Sequence, residues 1–283
     1  MAFNRFKTAF AAAVIIISFG CRKDEAHKKT LASATPKKAL AGQPVPYDTL
    51  TKTIHIFVAL CDNKYQGIVP VPKGIGNGQD PNTNLYWGCG YGIRTYFKKS
   101  KEWKFLKSAK PGGHILERIV FKHATKPNQY LVADAYDGQY IKQCTQDFLS
   151  NSAGNRKDAI TVDDKTIGIG GNAQLLGYIG HDGLMDFELA ETFKNIDNMK
   201  RDVIILACYS KMYFGPHLKD ANVNPLVWTS HLMAPEAYTV HDAITGYLAG
   251  ESNEQVRSRA AKAYNTHQKC GEKAARKLLI TGW

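Results

Sequence analysis

The chain has 283 residues with 44% hydrophobic and 22% charged content, enough for one sizeable core and incompatible with an intrinsically disordered protein. Lys and Arg outnumber Asp and Glu by 37 to 25, a formal net charge of +12. The basic residues form no cluster interleaved with aromatics of the kind that builds a nucleic-acid groove, so nucleic acid is excluded as an expected partner.

In chain order, the first 20 residues come first and stand apart. Arg5 and Lys7 precede an apolar run from about Thr8 to Phe19, and Gly20 sits directly before Cys21, the layout of an export signal. The run is short for a membrane span, which takes about 20 apolar residues. Ser18, Gly20 and Cys21 resemble a bacterial lipobox, which implies cleavage before Cys21, acylation of that cysteine, and attachment to a membrane through the lipid. The following "RKDE" resembles the export tag of Bacteroidetes surface lipoproteins and implies the outer membrane or cell surface. Residues 21–51 are rich in Lys, Ala, Thr and Pro and poor in large apolar residues, so they are expected to form a flexible tether. Residues 52–283 are then one domain.

"TIHIFVALCDN" (53–63) reads as a buried strand, followed by an irregular Gly/Pro/Asn loop. Its "GIGNG" lacks the spacing of a phosphate-binding fingerprint. "NLYWGCGYGIRTYFKKS" (84–100) has helical apolar spacing with Asn82 to Asn84 as a possible cap, and "KKSKEWKFLKSAK" (98–110) reads as a solvated helix end and loop. Strands follow at 118–124 and 130–138, an amphipathic helix at 139–151, and a short hairpin in "DDKTIGIGGN" (163–172). "AQLLGYIGHDG" (173–183) is a strand. "DFELAETFKNIDNMK" (186–200) has an apolar face and an acidic first turn, which predicts a helix. Further strands are expected at 201–210 and 224–230, and one long helix at 254–279. Strands alternating with helical segments give the fold class: α/β, a mostly parallel sheet with helices on both faces.

Two buried strands end in reactive side chains, His181 after "LLGYIG" and Cys208 after "VIILA". In a parallel sheet both leave the same carboxyl edge, where active sites of open α/β proteins collect. A histidine beside a thiol is the minimum set for a cysteine nucleophile with a proton-transfer group, and backbone N–H groups around Gly183 are candidates to hold an oxyanion. The cysteine count adds a second hint. If Cys21 carries lipid, five cysteines remain, and an odd number leaves at least one thiol unpaired.

These two segments, an apolar strand then "GHDG" and an apolar strand then "ACYS", resemble the signatures of the caspase-like (clan CD) cysteine peptidases. The resemblance covers roughly residues 52–250 in element order, and its specific part is the two short motifs. It implies a caspase-like fold, peptide-bond hydrolysis, His181 as general acid and base, Cys208 as nucleophile, and Gly183 with the Cys208 N–H as oxyanion hole. It also implies a substrate pocket built from the loops after the first and fifth strands, here Asp62, Trp228, Thr229 and Ser230, with Asp62 hinting at a basic side chain. Asp182 stands between the histidine and the glycine, where the family has them adjacent. The expected partner is a protein or peptide substrate. No cofactor and no metal are expected, Asp134 and Asp137 being a weak pattern for ligands. The alternative is a catalytically inactive surface lipoprotein of the same fold that binds a partner.

Overall fold

The structure is a computed structural model and describes residues 46–283. The signal segment, Cys21 and the first part of the tether lie outside the described residues. The described chain belongs to one compact unit. Its ordered packing starts before residue 52, because Asp48 N–H donates to Thr166 O at 2.8 Å and Thr51 is buried. Among the described residues no helix is long and apolar enough to cross a membrane.

The elements run β1 (Lys52–Ala59), α1 (Ile93–Lys99), β2 (Trp103–Ala109), β3 (Ile115–His123), β4 (Gln129–Tyr136), α2 (Ile141–Ser152), β5 (Lys157–Val162) and β6 (Lys165–Gly170). They continue as β7 (Leu175–Ile179), β8 (Arg201–Leu206), α3 (Ser210–Leu218), β9 (Val223–Thr229), α4 (Ala237–Leu248), α5 (Asn253–Gln268), α6 (Glu272–Leu278) and β10 (Leu279–Ile280). Among the described residues, eight strands form one sheet in the order β10-β9-β8-β7-β1-β4-β3-β2. The five central strands from β9 to β4 are parallel, and β3, β2 and β10 join antiparallel at the edges. The protein is therefore α/β with a mixed, mostly parallel sheet.

Strand β1 is buried from Thr53 to Ala59 because both of its faces are covered. Alternation sends Ile54, Ile56 and Val58 into a core shared with Phe97 of α1, Ile244 of α4 and Val256 of α5. Phe57 and Ala59 point the other way, into a core with Phe148 of α2 and Phe214 of α3. The β5–β6 hairpin covers the rest of that face through Val162, Ile167 and Ile169, packed on Val120, Tyr130 and Val132.

Several sequence expectations are corrected. Residues 84–92 are turns and the helix begins only at Ile93. Asn84 does not cap that helix; its side chain accepts from Cys61 N–H (3.1 Å) and from Tyr86 N–H (3.1 Å) and donates to Cys61 O (2.9 Å). A Cβ on Gly92 would collide with the Trp87 backbone, so this segment folds back on itself more tightly than a helix permits. Residues 103–109 form edge strand β2, with Lys104 and Lys107 on it protecting an exposed edge. The expected helix at 186–200 is absent. After a 3₁₀ turn at Gly183–Met185 the chain runs irregularly, held where the Asn195 side chain donates to Met199 O and Ala221 O, while Phe193 is buried in the α2/α3 core. The long C-terminal helix is two, broken by left-handed Lys269 (φ 54°) and Gly271 (φ 90°).

Candidate active site

The register of β7 and β8 builds the site. Ile179 pairs with Leu206, so His181 and Cys208, each two residues further on, leave neighbouring strands at the same level, with strands spaced about 4.8 Å apart. Gly180 N–H extends the ladder to Leu206 O at 3.2 Å. Gly180 has φ +146°, and a Cβ there would sit 2.7 Å from Ala59 O, so only glycine lets the chain turn out of the sheet here. Both candidate side chains line one cleft of about 300 Å³.

Cys208 sits on a strand-to-helix elbow. Tyr209, immediately after it, is left-handed (φ 49°, ψ 30°), an uncommon state for a side-chain-bearing residue that must be held by its surroundings. Here Tyr209 N–H donates to His231 O at 3.0 Å. The Ser210 hydroxyl donates to Ile205 O at 3.1 Å, Thr229 N–H donates to the Ser210 hydroxyl at 2.8 Å, and Thr229 Oγ1 donates to Ala207 O. The Cys208 sulfur accepts from Met233 N–H at 3.4 Å. Burial raises the Cys208 pKa, the Met233 N–H pulls it down, and the charge of Asp182 adds to the rise. Cys208 is therefore a protonated thiol at rest.

His181 is nearly buried, and its Nε2 lies 2.7 Å from Asp186 Oδ2. Among the described residues nothing hydrogen-bonds its Nδ1. The Tyr178 hydroxyl donates to His181 O at 2.9 Å and fixes the backbone. Asp186 in turn accepts from Gly67 N–H at 2.9 Å, and a Cβ on Gly67 would run into the Asp186 carboxylate. The loop after β1 thus clamps the carboxylate that orients the histidine. Asp186 was not legible as a site residue, because the expected helix assigned it to a first turn facing a helix dipole.

Asp182 is fully buried. Its Oδ1 accepts from Leu184 N–H at 3.1 Å and its Oδ2 has no hydrogen-bond partner among the described residues. Burial pushes its carboxyl up to about 7, with the Leu184 N–H working the other way and Asp186 adding a little.

The remaining sequence candidates fall elsewhere. Gly183 does not line the cleft; a Cβ there would meet Phe187 and Ile141. Asp62 is buried and its carboxylate is fully engaged, Oδ1 by the N–H groups of Lys64 (2.8 Å) and Tyr65 (3.2 Å), and Oδ2 by Gln79 (2.7 Å). Its role is that of a turn residue. Trp228 is buried beside Trp283 with ring centroids 5.2 Å apart. Thr229 braces the Cys208 elbow, and Ser230 donates to Lys277 O at 2.8 Å. The loops after β1 and β9 do reach the cleft, but through Ile68, Val69, Leu232, Met233 and Pro235. Asp134 and Asp137 are not a pair: Asp134 binds Arg118 and His55, and Asp137 caps the turn at Gln139.

All five cysteines in the described residues are free thiols. Cys61, at the end of β1, is buried, and burial pushes its pKa up to about 11. Burial also pushes Cys144 upward, so neither is a competing nucleophile. Compared with protein-family models, with curated proteins and with solved structures, the chain matches none.

Proposed function

We propose that the protein is a lipid-anchored cysteine peptidase with a caspase-like α/β domain, in which Cys208 is the nucleophile and His181 the general base and acid. The observation that carries this reading is the common register that brings a histidine and a thiol from adjacent strands into one cleft. The Cys208 sulfur attacks the peptide carbonyl carbon and forms a C–S bond while its proton passes to His181. The C–N bond then breaks, and His181 gives that proton to the departing amine. Water attacks the thioester, its proton going to His181; the C–S bond breaks, the carboxylic acid leaves, and His181 returns the proton to sulfur. The Cys208 N–H is the candidate donor to the oxyanion, and Asp186 is a positioning residue that holds the imidazole through Nε2.

Digestion of a peptide library by wild type, Cys208→Ala and His181→Ala tests the reading. Loss of about 10²- to 10⁴-fold is expected for His181→Ala, and for Cys208→Ala no cleavage above background. Equal cleavage by Cys208→Ala would overturn it. One observation favours a second reading, an inactive binding protein of the same fold: burial and Asp182 both disfavour the Cys208 thiolate. In that case no enzyme form cuts the library.

The reading also puts the domain at a bacterial outer membrane or cell surface through lipid on Cys21, on the strength of the signal and lipobox pattern. Cys21→Ser should move the chain from the membrane fraction to the soluble one; an unchanged distribution would sink the anchor.

A further inference from the structure

The chemistry of the cleft walls narrows what can sit beside Cys208. Among the described residues no Asp, Glu, Lys or Arg lines the cleft, and apart from His181, Cys208 and the Tyr86 hydroxyl its side chains are apolar. Asp62, the acid that the sequence offered for a basic substrate, already has both oxygens hydrogen-bonded and is 1% exposed. Asp186 is held by His181 and Gly67. A charged side chain entering this cleft would lose its hydration and meet no charged residue on its walls, which is costly.

The mouth of the cleft points the same way. Val69, Met185 and Leu232 are 88%, 40% and 65% exposed, three large apolar side chains from three separate loops gathered around one opening. Exposed apolar residues clustered at a concave site mark a surface that is covered in use. Met185 and Met233 add adaptable walls, since a thioether chain repacks around differently shaped guests. The volume, about 300 Å³, is at the small end of ligand pockets, room for one large side chain beside the reacting carbonyl.

We infer that this subsite takes a large apolar side chain, leucine- or phenylalanine-like, flanking the scissile bond of the peptide substrate. The inference rests on the peptidase reading for its chemistry, but the binding preference it states is measurable without turnover.

Four N-acetylated amino-acid acyloxymethyl ketones, with Leu, Phe, Lys and Asp side chains, serve as probes of the full chain. Modification of Cys208 is followed by mass spectrometry, each rate being divided by that for iodoacetamide, which reports on the bare thiol. The Leu and Phe probes should react at least about tenfold faster than Lys and Asp, the order of discrimination that an apolar pocket gives. Leu232→Glu, a change at an exposed position, should shrink that ratio and raise the relative rate of the Lys probe. A Lys or Asp probe as fast as Leu in the wild type would overturn the inference while leaving the peptidase reading intact. If no ketone modifies Cys208, the peptidase reading fails. The subsite is then read in Cys208→Ala by NMR titration of the Met185 and Met233 methyl groups with N-acetyl-Leu-amide and N-acetyl-Lys-amide. Shifts with the Leu compound alone would uphold the apolar subsite, and shifts with neither, or with the Lys compound, would overturn it.

Discussion

Among the described residues one histidine–aspartate pair lies within the sheet and another at its carboxyl edge, and they differ in what is left over once the pair has formed. His55 and Asp134, on the neighbouring strands β1 and β4, are 3.1 Å apart and almost wholly buried. Arg118 grips both Asp134 oxygens at 2.6 Å, and Gly170 N–H donates to His55 Nδ1 at 3.0 Å. That bond makes His55 Nδ1 an acceptor, so its Nε2 carries the proton toward Asp134. Burial works to raise the Asp134 pKa, yet Arg118 and His55 outweigh it and hold the carboxyl below its ordinary value. Both ring nitrogens are engaged, so this histidine has no capacity for proton transfer. His181 and Asp186 form the same pair at 2.7 Å, but the pair borders a cleft, the carboxylate is about one-third exposed, and Nδ1 keeps its bonding capacity. Identical residue types thus serve cohesion in one place and offer chemistry in the other.

Removing each aspartate in turn is the strongest way to break this contrast. Asp134→Ala strands Arg118 without its counter-charge and the His55 Nε2–H without its acceptor, and a loss of about 3–5 kcal/mol is expected in urea unfolding. Because the folded pKa of Asp134 is depressed, its stabilisation is present above the unfolded value of 3.8 and is lost as the pH falls through the folded one. The variant should lack that acid sensitivity. Asp186→Ala removes a pair whose carboxylate is about one-third exposed and should cost under about 1 kcal/mol, while lowering kcat for peptide cleavage by roughly 100-fold at little change in KM, a fall within the general-base range. Similar unfolding losses in the two variants would erase the distinction.

The strands were largely legible in the sequence, because runs such as "HIFVAL" and "VIILA" are apolar on both faces and only a central parallel strand satisfies that. The alignment of His181 with Cys208 followed from the same logic, each motif ending such a run. What could not be read was which residue each loop delivers to the cleft. Asp62 and Thr229 stand next to the right loops, yet hydrogen bonds consume them, Asp62 in its own turn and Thr229 on the Cys208 elbow. Val69 and Leu232, with no polar pattern to flag them, took the wall positions. Asp186 was hidden for a different reason: acidic residues ahead of an apolar periodicity look like a helix start, and the irregular path from Phe187 to Lys200 is set by tertiary contacts of Asn195 and Phe193. Edge strand β2 was missed because its lysines mimic a solvated loop, which is how an edge avoids further pairing.

The subtlest test concerns Asp182, the residue between the histidine and Gly183. Its carboxyl titrates at about 7 because burial disfavours the charged form, and once ionised it raises the pKa of Cys208. Below that pH Asp182 is neutral and Cys208 is relieved of the charge; above it, one negative group opposes the formation of another. Asp182→Asn keeps the acceptor for Leu184 N–H and removes the charge. The ratio of variant to wild-type alkylation rates at Cys208 should be near 1 at pH 6 and rise to several-fold at pH 8, with about tenfold as the ceiling set by one pKa unit. A ratio that stays flat across this range would mean that the two groups do not communicate, and Asp182 would then be only the cap of the turn that follows His181. A rising ratio would make Asp182 a brake on the thiol, the counterpart beneath the site of what Arg118 does for Asp134: a neighbouring charge deciding which protonation state the fold maintains.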